Sequence, residues 1–289
     1  MEHVRWHREP ELRTPVLVAA FTGWNDAADA ASNAVRALIE GWNAELIASL
    51  DPEEYTDFAS TRPHIRLREG GGRELLWPQV SIWSASTPGG DVLLVLGPEP
   101  SLRWRGFTDQ LLGVVERYEV SFVLTLGALL ADVAHTRPVQ LIGNATDPDV
   151  MERFDLQRST YEGPTGIIGV LHDACSVAGV QSASLWAATP SYAAQIPSPK
   201  AALALLRRAT DLIGAPAPVT GLLAQLDAYD DSIEELVQSD DDLPEYVQRL
   251  EAAMGDLDDE DDEPIDTVDA GEALIEELEQ FLRDQGRDG

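Results

Sequence analysis

The sequence predicts an α/β fold, a three-layer sandwich with a mainly parallel or mixed sheet, followed by a C-terminal acidic helical extension. Three observations carry this. Short Val-, Ile- and Leu-rich runs without polar alternation suit strands covered on both faces. Stretches with apolar residues at three- and four-residue spacing fall between them, and such alternation favours parallel pairing with helices on either side. After Gly214 the composition turns acidic and the strand signals stop.

The strands are read at residues 15–21 (PVLVAAF), 45–50, 80–84, 92–97, 121–126, 139–142 and 183–188, each bounded by turn-forming or polar residues. Helices are read between them. Residues 26–42 set Ala28, Ala31, Val35, Leu38, Ile39 and Trp42 on one face, and residues 102–118 do the same with Phe107, Leu111, Leu112 and Val115. Residues 167–178 and 199–213 follow, the last with Ser198 placed to cap and Pro199 at the first helical position. Gly70-Gly71-Gly72 reads as a flexible, hairpin-like connection.

The organisation expected is an α/β domain over residues 1–214 and an acidic extension over 215–289, with Ala215-Pro216-Ala217-Pro218 as the break. Leu222, Leu223, Leu226, Ile233, Leu236 and Val237 mark an amphipathic helix, and residues 243–254 mark a further piece with Pro244 in its first turn. Residues 255–267 (GDLDDEDDEPIDT) are too charged to pack and read as a mobile linker. Residues 270–283 then carry a stripe of Leu274, Ile275, Leu278, Phe281 and Leu282. That stripe has to cover the preceding helix, the α/β body or another subunit, the first being the default.

Charge and cysteine usage bound the function. The net charge is −31, and residues 225–289 alone hold 25 acids against three arginines. Nucleic-acid binding needs a cationic face that this composition does not supply, so no nucleic-acid partner is expected. The acidic bias either confers solubility or steers basic partners. One cysteine, Cys175, rules out an intrachain disulfide and a multi-cysteine zinc site, which fits a reducing, cytoplasmic setting. The opening residues 1–7 have no apolar run behind a basic start, and no run approaches membrane length, so neither a secretory leader nor a membrane role is expected.

Candidate chemistry concentrates in loops after strands. Gly23, Trp24, Asn25 and Asp26 follow the first strong strand, where open α/β sheets hold ligands. Asn25 or Asp26 could cap the next helix, with Trp24 as a lid or interface residue. Arg62 could clamp an anion or pair with a nearby acid. His135, Thr136 and Arg137 form the densest titratable cluster, suited to acid–base work, anion binding or a structural role. Tyr161, Gly163 and Thr165 belong to a tight turn with Thr165 as helix cap, and Tyr192 opens the loop to the helix at 199. Cys175, on an apolar helix, reads as a small core residue. The GxGxxG and GxxxxGK[ST] loops, a GxSxG elbow and an HExxH metal motif are all missing, so no cofactor, metal or nucleotide is indicated.

Four segments together carry a resemblance. Gly-Trp-Asn-Asp-Ala-Ala-Asp-Ala-Ala at 23–31, His-Thr-Arg-Pro at 135–138, Tyr-Glu-Gly-Pro-Thr-Gly at 161–166 and Tyr-Ala-Ala-Gln-Ile-Pro-Ser-Pro-Lys at 192–200 resemble the proteasome assembly chaperone 2 family, and within it the actinobacterial branch. The resemblance spans about residues 10–215, and the acidic helical extension is similar to that branch as well. It implies a fold like the purine nucleoside phosphorylase class, homo-oligomers with trimers among them, and a chaperone-like role. It carries over no catalytic residues.

Two functions follow as expectations. The first is a non-enzymatic, chaperone-like interaction protein with a protein partner, connected with proteasome assembly or protein turnover. The second is an enzyme or small-ligand binder on a nucleoside-phosphorylase-like frame, using Gly23 to Asp26, Arg62, His135 to Arg137 and Tyr161 to Thr165. If Arg62, His135 and Arg137 share no pocket, a single anion site among them fails.

Overall fold

The computed structural model describes residues 2–68 and 70–258. The chain runs β1 (Val4–Trp6), β2 (Val16–Thr22), α1 (Ala30–Gly41), β3 (Glu45–Leu50), α2 (Pro52–Tyr55), β4 (His64–Leu67), β5 (Arg73–Leu76), β6 (Ser81–Thr87) and β7 (Gly90–Pro98). It continues α3 (Trp104–Arg117), β8 (Phe122–Ala131), β9 (Leu141–Ala145), α4 (Pro148–Phe154), α5 (Ile167–Ala178), β10 (Ser182–Pro190) and α6 (Pro199–Ile213). The helices α7 (Thr220–Leu223), α8 (Leu226–Ser239) and α9 (Leu243–Asp258) complete it.

Among the described residues the main sheet has eight strands in the order β1-β3-β6-β7-β2-β8-β10-β9. It is mixed. The central strands β7, β2, β8 and β10 pair in parallel, which is why their sequences are apolar throughout. The strands toward both edges pair antiparallel. Alternate residues of each central strand feed opposite cores. Val18, Ala20, Leu94, Leu124 and Leu126 pack with α1 and α6 on one face. Leu17, Ala19, Phe21, Leu93 and Val123 pack with α3 and α5 on the other, which makes the third layer.

This topology opens a crevice. The chain leaves β2 through α1 toward β3 on one face, and leaves β8 toward β10 with α5 on the opposite face. Neighbouring strands whose connections part in opposite directions leave a gap beyond their carboxyl ends. The loop after β2 lies at that gap, held there by Ala128 N–H donating to the Asn25 carbonyl at 2.9 Å.

The segment beyond Gly214 folds onto this body. Trp42 Nε1 donates to the Pro216 carbonyl at 3.0 Å, and Leu222 of α7 is buried in the α1–α6 core. Tyr229 and Ile233 of α8 pack against Tyr192, Ala193 and Ile196. The single amphipathic helix expected from Leu222 to Val237 is two helices, α7 and α8. The helix α9 runs to Asp258, four residues into the stretch read as a linker. The remainder of that linker and the helix read at 270–283 lie outside the described residues.

Candidate functional site

Above the carboxyl end of β8, between α5 and the β10–β9 edge, lies a cleft of about 370 Å³. Its wall is largely apolar, with Trp24, Leu129, Ile168 and Trp186, and its polar groups come from Asn25, Asn144, Ser159, Tyr161, Thr165, Ser184 and His172. Trp186 lies across Gly127 of the neighbouring strand, so closely that a Cβ at Gly127 would overlap the indole. That glycine therefore lets the ring line the cleft.

The Glu99 carboxylate organises the top of the cleft. It accepts from Asn25 Nδ2 at 2.7 Å and from the backbone N–H of Ile167 at 2.7 Å, the first turn of α5. Gly166, not Thr165, is the cap residue of α5 and offers no side-chain cap, so a carboxylate from a loop 68 residues earlier fills that role. Gly166 must be glycine, because a Cβ there would overlap the Asn25 amide. Asn25 is only 1% exposed, and its Oδ1 has no protein partner; neither has Oδ1 of Asn144. The cap residue of α1 is Asp29, neither Asn25 nor Asp26, and it offers no side-chain cap. Asp26 accepts from Ser32 N–H in the first turn of α1 at 3.0 Å, while burial raises its carboxyl above the usual range.

At the floor, His172 joins two strands. Its Nε2 meets Thr125 Oγ1 at 2.8 Å and its Nδ1 meets Ser182 Oγ at 2.9 Å. Burial pushes the imidazole down to about 4, so it is neutral near pH 7 and each nitrogen has a hydroxyl partner.

The sequence-predicted residues divide into three places. Gly23, Trp24, Asn25, Tyr161 and Thr165 line the one cleft. Gly163 sits beneath Tyr161, whose hydroxyl donates to the Pro164 carbonyl at 2.6 Å, so the turn closes on itself. His135, Thr136, Arg137 and Tyr192 lie elsewhere, in the seam where α8 and α9 dock. There Tyr192 Oη accepts from the His135 backbone N–H at 2.9 Å and meets its Nδ1 at 2.6 Å. Thr136 Oγ1 donates to Glu251 Oε1 at 2.6 Å, Arg137 Nη2 donates to the Glu251 carbonyl at 3.0 Å, and Lys200 Nζ donates to the His135 carbonyl. Tyr246 and Ser191 both donate to Asp132 Oδ1, at 2.7 and 2.9 Å.

Arg62 lies after α2 and lines neither the cleft nor the seam. A single anion site built from Arg62, His135 and Arg137 is therefore not assembled. Sequence reading missed Glu99, Asn144, His172, Ser184 and Trp186. Glu99 alone left a signal, since Pro98-Glu99 stands just past a strand at the same edge as Gly23. Among the described residues no group of three or more His, Cys, Asp or Glu could hold a metal ion, and no helix is long and apolar enough to cross a membrane.

Comparison with known proteins places this geometry. A family model described as the PAC2 family matches residues 20–237, from within β2 into α8. A PAC2 family protein from Streptomyces avermitilis is 45% identical, with 81% of this chain and 99% of that chain covered and a TM-score of 0.74. A proteasome-assembly chaperone homologue from Mycobacterium tuberculosis is 46% identical, with 80% and 99% covered and a TM-score of 0.72. A second Mycobacterium tuberculosis protein, of unknown function, is 26% identical over 89% of this chain and 92% of its own, with a TM-score of 0.79. No curated protein matches the chain.

Proposed function

The chain belongs to the PAC2 family, and from that membership we propose that it is a chaperone-like interaction protein, non-enzymatic, whose partners are proteasome subunits or proteins of the turnover machinery. The observation that carries this reading is the 46% identity, over four fifths of the chain, to a proteasome-assembly chaperone homologue. The geometry supports it. The best titratable cluster, His135 to Arg137, is engaged in docking the chain's own helices, and the open end of α5 is already filled by Glu99. A chaperone of this kind works in the cytoplasm, as a homo-oligomer presenting several copies of one surface.

Light scattering on the full chain, alone and mixed with separated proteasome subunits, tests this. The reading expects an oligomer that forms a heavier complex with one subunit type. Independent elution at tens of micromolar of each, about the concentration at which transient interfaces are half-filled, overturns it.

A second reading rests on one observation. The unpaired Oδ1 atoms of Asn25 and Asn144 line a cleft large enough for a small molecule bearing N–H donors. Phosphate is disfavoured there, because Glu99 puts a negative charge where an anion would bind. Thermal shift against neutral heterocycles, with Asn144→Ala as control, separates this reading from the first.

A further inference from the structure

The hairpin β4–β5 forms a two-stranded sheet of its own, apart from the main sheet. Its register pairs Ile65 with Leu75 and Leu67 with Arg73. Side chains at alternate positions share a face, so Ile65, Leu67 and Leu75 form one apolar patch. They are 62, 77 and 45% exposed. A two-stranded ribbon is marginal in water unless something packs on its apolar side. Phe58 and Trp77, with ring centroids 5.0 Å apart, hold only its base.

The ribbon is also basic. Arg62, Arg66, Arg68 and Arg73 fall within residues 62–74 against Glu69 and Glu74, in a chain of net charge −31. Glu74 pairs with Arg66 at 2.8 Å and with Arg68 at 3.8 Å, which leaves the local balance positive.

The same chain contains the complement. Residues 259–289 hold 13 acids and two arginines. Within them Leu274, Ile275, Leu278, Phe281 and Leu282 recur at helical spacing, flanked by Glu272, Glu276, Glu277 and Glu279. We propose that the segment 270–283 lays this apolar stripe on the Ile65–Leu67–Leu75 face of its own hairpin, with its glutamates toward the arginine rim. Reach permits it. The hairpin follows β3, and α9 is fastened to the loop after β8; β3 and β8 run in the same direction, so both connections leave the same end of the strands. From β3 to β8 is four strand positions, about 19 Å at ~4.8 Å each. The eleven residues 259–269 extend to as much as ~36 Å. Burial of the stripe supplies the attraction and the charges its specificity, so salt weakens the contact without abolishing it.

Hydrogen exchange on the full chain tests this inference, which does not depend on the identity of any outside partner. Residues 64–76 and 270–283 are expected to exchange slowly together. Leu278→Asp/Phe281→Asp should speed exchange in the hairpin, and Ile65→Asp/Leu67→Asp should speed it in 270–283, each by about tenfold or more, with the sheet core unchanged. Protection that persists across a hundredfold dilution supports docking within one chain. Protection lost on dilution overturns that assignment in favour of a second copy's segment. Free-peptide exchange of 270–283 in the unaltered chain, or protection there that survives the hairpin variant, overturns the proposal outright.

Discussion

The Tyr192 hydroxyl accepts from the backbone N–H of His135 and reaches the Nδ1 of the same residue, so one phenol satisfies two nitrogens of a residue 57 positions away. With its oxygen accepting from the backbone N–H, the hydroxyl still has its own proton to offer Nδ1. Burial pushes the phenol up to about 12 and, with Lys200 nearby, holds the imidazole below its usual value. Tyr192→Phe strands both nitrogens and should cost about 1–3 kcal/mol, measured by urea unfolding.

That arrangement gives the seam a pH dependence. His135 has a lowered folded pKa, so its contribution is present above the unfolded value and lost as pH falls through the folded one. Protonation turns Nδ1 into a donor facing a hydroxyl that would have to reverse. Hydrogen exchange in α8 and α9 should therefore accelerate on acidification before the sheet does. In Tyr192→Phe, exchange there should be fast at both pH values.

His172 predicts a second, global effect. Its pKa is about 4 when folded against about 6.5 when unfolded. The stability it supports is complete above 6.5 and falls as pH drops toward 4, by about 3 kcal/mol across that window. His172→Gln should flatten the unfolding free energy between these two pH values relative to the unaltered chain. An unchanged slope would show that the histidine is not buried neutral.

Glu99 and Gly166 make the top of the cleft a single unit. Gly166→Ala forces a methyl group into the Asn25 amide and should cost about 1–3 kcal/mol. Glu99→Gln keeps the shape but removes the charge facing the α5 N-terminus and should cost about 1 kcal/mol, read as a lowered denaturant midpoint.

Cys175 provides a simple check on the core. It is fully buried among α5 packing residues, and burial pushes its thiol up to about 11. Aromatic disulfide reagents should leave it untouched in the native chain and label it only on unfolding.

How far the sequence could be read follows from what kind of signal each feature leaves. The run Val16–Thr22 and the first half of Phe122–Ala131 were legible because both faces are buried, which removes polar alternation; the continuation of β8 past residue 126 was read as loop. Ser198 as the cap of α6 was legible because capping is local, and its side chain accepts from Ala201 N–H at 3.1 Å. The turn of the hairpin β4–β5 was legible in Gly70-Gly71-Gly72, but its strands were not, since four-residue exposed strands carry no core pattern. The strand Val4–Trp6 was missed because three residues, of which only Val4 is buried, are too few to show one. The cleft was half legible: Asn25 and Tyr161 stand in loops after strands, but Glu99 acts only through contacts 68 and 74 positions away. His135 was visible as a cluster, and its docking role depended on Tyr192 and Glu251, which no local pattern connects to it.

Assembly kinetics test the proposed chaperone-like role toward proteasome subunits most directly. Separated subunits are mixed with and without the full chain, and the appearance of complete particles is followed by native mass measurement. Assembly is expected to be faster or more complete with the chain present, through its complex with unassembled subunits. Identical assembly curves at equimolar chain, with no such complex, would contradict it.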